Sequence, residues 1–189
     1  MDARAGPASI ARRHRVEAGA PAPTAMAGAP PAIGTPTILA DLDTATWGRL
    51  SLSPWIVAPA DPQAAHALIL AGLGDGLRAT AAVVGSTVVG LAISRVDGPG
   101  EELLALGVAP AHRREGLAGR VLAGHVSSDR ISTAEVTLAE RDVIEPLDRA
   151  ERASIARRLL TKAGYRVEAA AGAVRTVDPA AIVGRREPA

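Results

Sequence analysis

The sequence predicts a mixed α/β (α+β) domain in which a sheet and helices form layers around one core. Two apolar, β-branched runs are joined by a two-residue turn and followed by a third run, which indicates a three-stranded meander. After the meander the apolar spacing becomes helical, and helical and strand-like segments alternate. With 189 residues, 48% of them hydrophobic, the chain can form one domain with a sizeable core.

The first 36 residues differ in composition from the rest of the chain. They hold six of the 14 prolines, interleaved with Ala and Gly. Such a segment buries too little surface to offset its ordering entropy. We therefore expect a flexible tail over 1–36, a domain over 37–184 and a short C-terminal tail over 185–189.

Order is expected to begin near Thr37, with a first strand in PTILADLD. A helix is predicted over 62–73, because Asp61 can cap it and a proline suits its first position. The irregular stretch between them contains Trp47 and Trp55. We expect these rings to staple the segment to the core rather than to wall a pocket.

The meander follows as LRATAAVV, the turn Gly85-Ser86, TVVGLAISRV, and then Glu101–Val108. The first two runs do not alternate cleanly between apolar and polar residues, which predicts that both faces of these strands are covered. Gly90 is expected to mark a bulge or a close backbone approach.

The second half predicts alternating helices and strands. A helix is expected from Gly116 to about Ser128, a strand over Ala134–Glu140, and an amphipathic helix over Leu147–Ala163. Gly164 suits the position just past the end of that helix. The stretch YRVEAAAGAVRTVDP is expected to close the fold with one or two strands.

Several classes of function are disfavoured by composition. The net charge is +1 and there is no cysteine, so neither a strongly basic nucleic-acid surface nor a thiolate site is expected. The four histidines lack metal-ligand spacing; His112 is expected to be solvated, and His125 packed or half-exposed. No apolar run approaches the ~20 residues of a membrane span, and no secretory signal is evident, so we expect a cytoplasmic protein.

One stretch, VAPAHRREGLAGRVL, changes from strand to helix beside Arg113 and Arg114 and the small residues Gly116, Ala118 and Gly119. A helix N-terminus presents unpaired N–H groups, and small residues leave room for an anion to reach them. The stretch therefore predicts a phosphate site, although it is neither a Walker A loop nor a Rossmann turn. The alternative is that the small residues serve close helix–sheet packing while the arginines are solvated.

Two motifs resemble those of the GNAT superfamily of N-acetyltransferases. The first, V-x-P-x-x-R-x-x-G-x-A, is formed by Val108, Pro110, Arg113, Gly116 and Ala118. The second, in ARRLLTKAGYRV, is formed by Ala156, Leu159, Lys162, Gly164 and Tyr165. The resemblance covers about 77–177 and implies a mixed, mostly antiparallel central sheet flanked by helices.

The resemblance also implies acetyl-CoA as cosubstrate. Its pyrophosphate would lie on backbone amides of Arg113–Gly119, its pantetheine would pair along Leu106–Val108, and its acetyl group would lie between that strand and Val136–Leu138. Ser154 neighbours the position of a frequent asparagine in the family. The cofactor-binding residues so implied are Leu106, Gly107, Val108, Arg113, Arg114, Glu115, Gly116, Leu117, Ala118, Gly119 and Ser154.

The general base and acid are less clearly marked. Glu101 and Glu102 open the strand that would face the acceptor, and Glu140 follows the next strand, so these three are the predicted bases. Strand neighbours alternate faces, so one of the first two is expected to point inward, although the sequence does not say which. The alternative is that Glu101 and Glu102 are a solvated acidic pair after a turn. The tyrosine that often serves the family as general acid is replaced by Leu160, and Tyr165 matches a core aromatic instead.

We therefore predict an N-acetyltransferase that moves an acetyl group from acetyl-CoA to a primary amine of a small molecule or protein by direct attack. Two alternatives remain open: a non-catalytic acyl-CoA-binding regulatory module, and an acetylating toxin acting on aminoacyl-tRNA. A homodimer is compatible with the resemblance, whereas metal, membrane and, outside the toxin alternative, nucleic acid are not expected.

Overall fold

One mixed sheet organises the residues that the computed structural model describes, which are 34–54, 56, 61–127, 129–136, 148–169 and 182–188. Its strands are β1 (Thr37–Leu39), β2 (Ser51–Leu52), β3 (Leu77–Val84), β4 (Thr87–Asp97), β5 (Gly100–Val108), β6 (Ile131–Val136), β7 (Arg166–Ala169) and β8 (Ile182–Arg186). The helices are α1 (Thr44–Trp47), α2 (Pro62–Leu73), α3 (Leu117–His125) and α4 (Arg149–Lys162), with a 3₁₀ turn over Pro110–His112.

The sheet is mostly antiparallel, as the sequence predicts. The strand order is β1-β3-β4-β5-β6-β8-β7, and β2 pairs with the start of β4. Only the β2–β4 and β5–β6 pairs are parallel. The predicted meander is confirmed as β3, β4 and β5, each antiparallel to the next.

Helices cover the two faces of the sheet unequally. The Leu77 side chain packs against Gly72 of α2. Thr80, on the opposite face of the same strand, forms a hydrogen bond with His125 of α3. On the α3 side, α4 packs against β7, β8 and α3. On the α2 side the helices lie against β2 and β3, so that face of β5, β6, β7 and β8 lacks a helix among the described residues.

The glycines of the hairpin have distinct structural reasons. Gly85 has φ of +61°, the left-handed conformation that a Gly-X hairpin turn needs at its first position. A Cβ on Gly90 would lie 3.2 Å from Val121 and 3.3 Å from Ala82, so α3 approaches the strand backbone closely there. The β3–β4 register also shifts beside Gly90. Both features predicted for this glycine are therefore present.

Trp47 acts as the predicted staple. Its ring is fully buried and stacks on His66 of α2 with the ring centroids 5.0 Å apart. The Trp47 Nε1–H donates to the His66 carbonyl at 3.1 Å, and His66 Nε2 lies 3.0 Å from the Trp47 carbonyl. Trp55 lies outside the described residues.

The predicted helices are present with modest changes in their bounds. α2 begins at Pro62 with the Asp61 carboxylate accepting from the Gln63 N–H, as expected. α3 ends at His125, earlier than predicted, with Gly116 as its N-cap. α4 starts from Asp148, whose side chain forms a reciprocal capping box with Glu151.

The remaining differences concern short elements. α1 and β2 were not predicted, because four-residue and two-residue elements are too short to show a period. β6 begins at Ile131, before the predicted Ala134, and residues 137–140 lie outside the described part. β7 lies in the predicted closing stretch, whereas β8 lies beyond it and runs to Arg186, within the predicted C-terminal tail.

Candidate active site

The strands β5 and β6 part halfway along the sheet. They pair only from Gly100 to Leu103, opposite Ile131 to Ala134. Leu104 is an extra residue in the β4–β5 register, since Ser94 faces Leu103 and Ile93 faces Ala105. From Leu104 onward no described strand pairs with the outer edge of β5. We call Leu104–Val108 the β5 edge.

The β5 edge presents backbone hydrogen-bonding groups to the gap. The Ala109 N–H donates to the Val89 carbonyl of β4. In an antiparallel pair, residues alternate between bonding to the neighbouring strand and pointing their N–H and C=O groups away from it. The alternate residues Val108 and Leu106 therefore point these groups away from β4. Gly107 is required by packing: a Cβ there would lie 1.8 Å from the Ile56 carbonyl oxygen. An extended ligand segment could therefore pair with the N–H and C=O of Leu106 and with the Val108 N–H, whereas the Val108 carbonyl accepts from Arg113.

α3 begins with an open, uncapped N-terminus, here called the α3 mouth (Gly116 to Gly119). Gly116 has φ of +72° and makes no side-chain cap bond. No atom of the described residues would lie within 4 Å of a Cβ on Gly116, and the residue itself is exposed, so this part of the structure leaves the space above it open. The first N–H groups of α3 and the positive end of its dipole therefore face an accessible site that suits an anion.

Packing does not explain why the residues of the α3 mouth are small. A Cβ on Gly119 would meet Leu159 at 4.0 Å, an ordinary contact. Ala118 is half-buried, while Leu117 is 2% exposed and packs in the core, so only its backbone can reach a ligand. The close helix–sheet approach is made instead by the missing side chain of Gly90 on the strand.

The residues before the α3 mouth differ in exposure. Arg113 is half-buried, and its Nε–H donates to the Val108 carbonyl at 3.1 Å, which ties the helix entry to the β5 edge. Arg114 is exposed and has φ of +65°, a conformation that non-glycine residues rarely adopt. The expectation of a solvated His112 is wrong: it is 8% exposed, beneath the exposed carboxylate of Glu115.

Glu101 and Glu102 lie on opposite faces of the sheet. Glu101 is the inward residue: its side chain is 1% exposed, and its Oε1 accepts from Arg78 NH1 at 3.0 Å. Arg78 also pairs with the exposed Asp41. The Glu101 Oε2 is buried and has no hydrogen-bond partner among the residues that the structure describes. This carboxylate belongs to the interior beneath α3.

His125 completes the interior cluster. Its Nδ1 lies 3.0 Å from the Thr80 hydroxyl, its Nε2 lies 2.6 Å from the Ser94 hydroxyl, and Glu101 Oε1 is 3.6 Å from Nε2. Burial, and then the nearby Arg78 charge, lower the pKa of His125 from 6.5 to about 4. Ser94 and Glu101 approach the same ring nitrogen and all are buried, so this is not a nucleophilic triad.

Glu102 faces the other side of the sheet, where it is exposed. It stands directly opposite Arg95 on β4 and Thr133 on β6. These residues line a shallow hollow of about 360 Å³, which we call the β5–β6 hollow. Its full lining is Arg95, Asp97, Gly100, Glu101, Glu102, Ile131 and Thr133.

The remaining predicted site residues lie on or beyond α4. Ser154 is exposed on α4, while its neighbour Ala153 is 8% exposed. Leu160 is a core residue, and Tyr165 is 3% exposed with its hydroxyl 2.6 Å from that of Ser132. Burial raises the pKa of Tyr165. Glu140 lies outside the described residues.

The sequence analysis missed the partners of the interior carboxylate. Arg78 is a charged residue inside the apolar run LRATAAVV, and such a residue in a covered strand needs a buried counter-charge. That pattern could have indicated that Glu101 or Glu102 pairs inward. Arg95 was not predicted either, because its position opposite Glu102 depends on cross-strand register, which the sequence does not show.

Two further observations concern the described residues. None of their helices is both long and apolar enough to span a bilayer. Among the same residues, no cluster of three or more His, Asp or Glu side chains could hold a metal ion.

Solved structures share this architecture at low sequence identity. An acetoin utilization protein from Exiguobacterium sibiricum superposes with a TM-score of 0.69 at 14% identity, over 81% of each chain. A protein assigned to the GNAT family of acetyltransferases from Desulfovibrio desulfuricans has a TM-score of 0.51 at 16% identity, covering 80% of this chain and 98% of its own. An aminoglycoside 6'-acetyltransferase type Ii has a TM-score of 0.50 at 17% identity, covering 79% and 96%.

No protein-family model matches the chain, and no curated protein matches it in sequence. The relationship therefore rests on the arrangement of strands and helices. The chain has the fold of the GNAT acetyltransferases.

Proposed function

We propose that the protein is an acetyl-CoA-dependent N-acetyltransferase. Two features of the structure carry the proposal: the uncapped α3 mouth, and the backbone groups of Leu106 with the Val108 N–H, which point away from β4. An anion at a helix N-terminus joined to an extended polar chain matches both at once. The GNAT-like fold agrees with this assignment.

The residues present fit acetyl-CoA as follows. The N–H groups of the α3 mouth would bind the pyrophosphate, with Arg113 and Arg114 adding positive charge. The β5 edge would hold the pantetheine as an added strand, and an outward N–H of that edge would polarise the acetyl carbonyl. Arg113 holds the Val108 carbonyl and so fixes the strand end relative to the helix entry.

When bound, acetyl-CoA supplies a thioester: the amine nitrogen forms a bond to the acetyl carbon, the C–S bond breaks, and the thiolate leaves. We assign proton removal from the amine to Glu102, directly or through water, because it is a solvent-facing carboxylate on β5, near the point where β5 and β6 separate. Glu101 is assigned a structural role, because Arg78 neutralises it in the interior.

No acid on α4 serves the leaving thiolate in this proposal. Leu160 is in the core, and the Tyr165 hydroxyl is bonded to Ser132. A thiol has a pKa of about 8.5, so water can protonate the leaving group near neutral pH. Residues 137–147, including Glu140, are not needed for the assignment.

The experiment that tests the proposal is Gly116→Glu with Gly116→Ala as its matched control. Both variants force a side chain onto the positive φ of Gly116, at a cost of roughly 1 kcal/mol. Only Glu adds a carboxylate at the anion site. We expect CoA affinity by calorimetry to fall at least about 100-fold for Glu relative to Ala, that is, about 3 kcal/mol.

Equal affinities of the two variants for CoA would contradict the placement of the pyrophosphate. Catalysis is measured separately, as release of CoA thiol from acetyl-CoA with a panel of amines. Tight CoA binding without thiol release would instead support the non-catalytic binding module.

A further inference from the structure

The β5–β6 hollow is formed by cross-strand register. One row across the sheet is Asp97, Gly100 and Ile131, and the adjacent row is Arg95, Glu102 and Thr133. Gly100 has no side chain, so the first row is open at its centre. The hollow therefore has Gly100 at its floor, with charged residues of β4 on one side and the uncharged Ile131 and Thr133 of β6 on the other.

The charges in the hollow are not paired with one another. Arg95, Asp97 and Glu102 are all exposed on this face. Within the described part of the chain, none of the three forms an ion pair or a side-chain hydrogen bond. Directly opposed strand residues usually lie about 4.5–5.5 Å apart at Cβ. Arg95 and Glu102 are thus close enough to bind one small ligand together.

The hollow lies next to the proposed site of acyl transfer. Glu102 precedes the extra residue Leu104, at which β5 leaves β6, by two positions. At about 3.3 Å per strand residue, this separation is roughly 7 Å. An amine held by Glu102 would therefore stand near the gap in which the thioester is proposed to lie.

From this geometry we propose that the acceptor is a small molecule with a carboxylate close to its primary amine, the size of a free amino acid. The proposal rests on the acetyltransferase function above and names its acceptor class. The planar Arg95 guanidinium binds the carboxylate through bidentate hydrogen bonds, while Asp97 and Glu102 bind the ammonium. Glu102, directly or through water, takes one proton from the ammonium so that the neutral amine can attack. The second proton is released as the C–N bond forms and the C–S bond breaks, and it passes to water or to the leaving thiolate.

Size and charge both favour this class. A volume of about 360 Å³ is at the lower end of the range for small-molecule sites, roughly 300–1,000 Å³. Two carboxylates alone would suit a polyamine, but Arg95, which is adjacent to both of them, would repel a second ammonium group. A ligand with one charge of each sign uses all three side chains.

The test compares amino acids with their carboxamides, which keep the amine and lose the acid. We expect wild-type kcat/KM, followed by CoA thiol release, to be roughly 10- to 100-fold higher for the amino acid. Arg95→Gln should abolish that ratio and Arg95→Lys should retain part of it. Arg166→Gln is the matched control, because Arg166 is an exposed arginine on the same face but outside the hollow. It should keep the wild-type ratio.

The outcomes separate this inference from the function on which it rests. Thiol release with polyamines or carboxamides that equals or exceeds release with amino acids would overturn the acceptor class alone. An amino-acid preference that persists in Arg95→Gln would overturn the role of Arg95. If acetyl-CoA binds but none of the tested amines supports thiol release, both the acetyltransferase function and the acceptor class would be overturned.

Discussion

The two ends of α3 differ in how their polar groups are satisfied. At its N-terminus, Gly116 leaves the helix without a side-chain cap, and no atom of the described residues fills the space above it. At its C-terminus, His125 is 1% exposed and has a hydroxyl partner at each ring nitrogen. Polar groups at one end are satisfied by the protein, and at the other they are available to solvent or ligand.

The difference shows how one helix can serve both folding and binding. The C-terminal end is fixed by Glu101 and Arg78, which link it to β5 and β3. The N-terminal end is then held in place without using its own N–H groups. We infer that removing a buried polar group at the C-terminal end lowers stability, whereas placing a negative charge at the N-terminal end mainly lowers ligand affinity.

The largest expected effect comes from breaking the buried ion pair with Arg78→Met. Glu101, 1% exposed, would be left in the interior without its cationic partner. Removing one member of a buried pair costs about 3–5 kcal/mol of unfolding free energy. Urea denaturation measures the loss, and the double variant Arg78→Met/Glu101→Leu should recover much of it. A loss in Arg78→Met no larger than that of an exposed arginine variant would contradict the assignment.

The next effect is on the pH dependence of stability. His125 has a folded-state pKa of about 4, below its ordinary value of 6.5. Between these values the unfolded chain binds more protons than the folded one, so unfolding free energy falls as the pH drops from 6.5 towards 4. The full effect of this group is about 3 kcal/mol.

Denaturation curves across this pH range check that expectation against His125→Gln, which cannot titrate. The slope of the unfolding free energy against pH should be smaller in His125→Gln than in the wild type, by the contribution of one proton. Parallel slopes in the two proteins would show that His125 is not held neutral by its surroundings.

The smallest expected effect is the difference in stability between alanine substitutions at the two glycines of α3, Gly119 and Gly124. A Cβ at Gly119 would meet Leu159 at 4.0 Å, whereas one at Gly124 would lie 3.1 Å from Ile38. Replacing helical Gly by Ala is worth up to about 1 kcal/mol, so Gly119→Ala should be stabilising and Gly124→Ala less so. Thermal unfolding compares them. A greater gain at Gly124 would contradict the crowding inferred at that end.

The sequence predicted those features of the fold that have a repeating pattern or a specific turn. The hairpin at Gly85, the Asp61 cap and the Gly164 terminator, with φ of +87°, are all confirmed. Each is a local choice of backbone geometry that few residue types satisfy. α1 and β2 depend on tertiary contacts such as the Trp47–His66 stack, so no local pattern marks them.

For the candidate site, the sequence marked the α3 mouth but could not assign the acidic pair. Strand residues alternate faces, so Glu101 and Glu102 had to differ, yet only the pairing with Arg78 shows which one is interior. The burial of His112 was missed for a related reason. A polar residue in a turn is solvated unless a distant part of the chain covers it.

The extra residue Leu104 has a consequence for how β5 can vary. Because side chains of a strand alternate, a regular strand would place residues 102 and 107 on opposite faces; the bulge puts both on the same one. Deleting one residue near this position would exchange inward and outward side chains along the rest of the strand. Chain length is therefore constrained here more strictly than residue type, and homologues or designed variants should accept substitutions at Leu104 far more readily than a shortened strand.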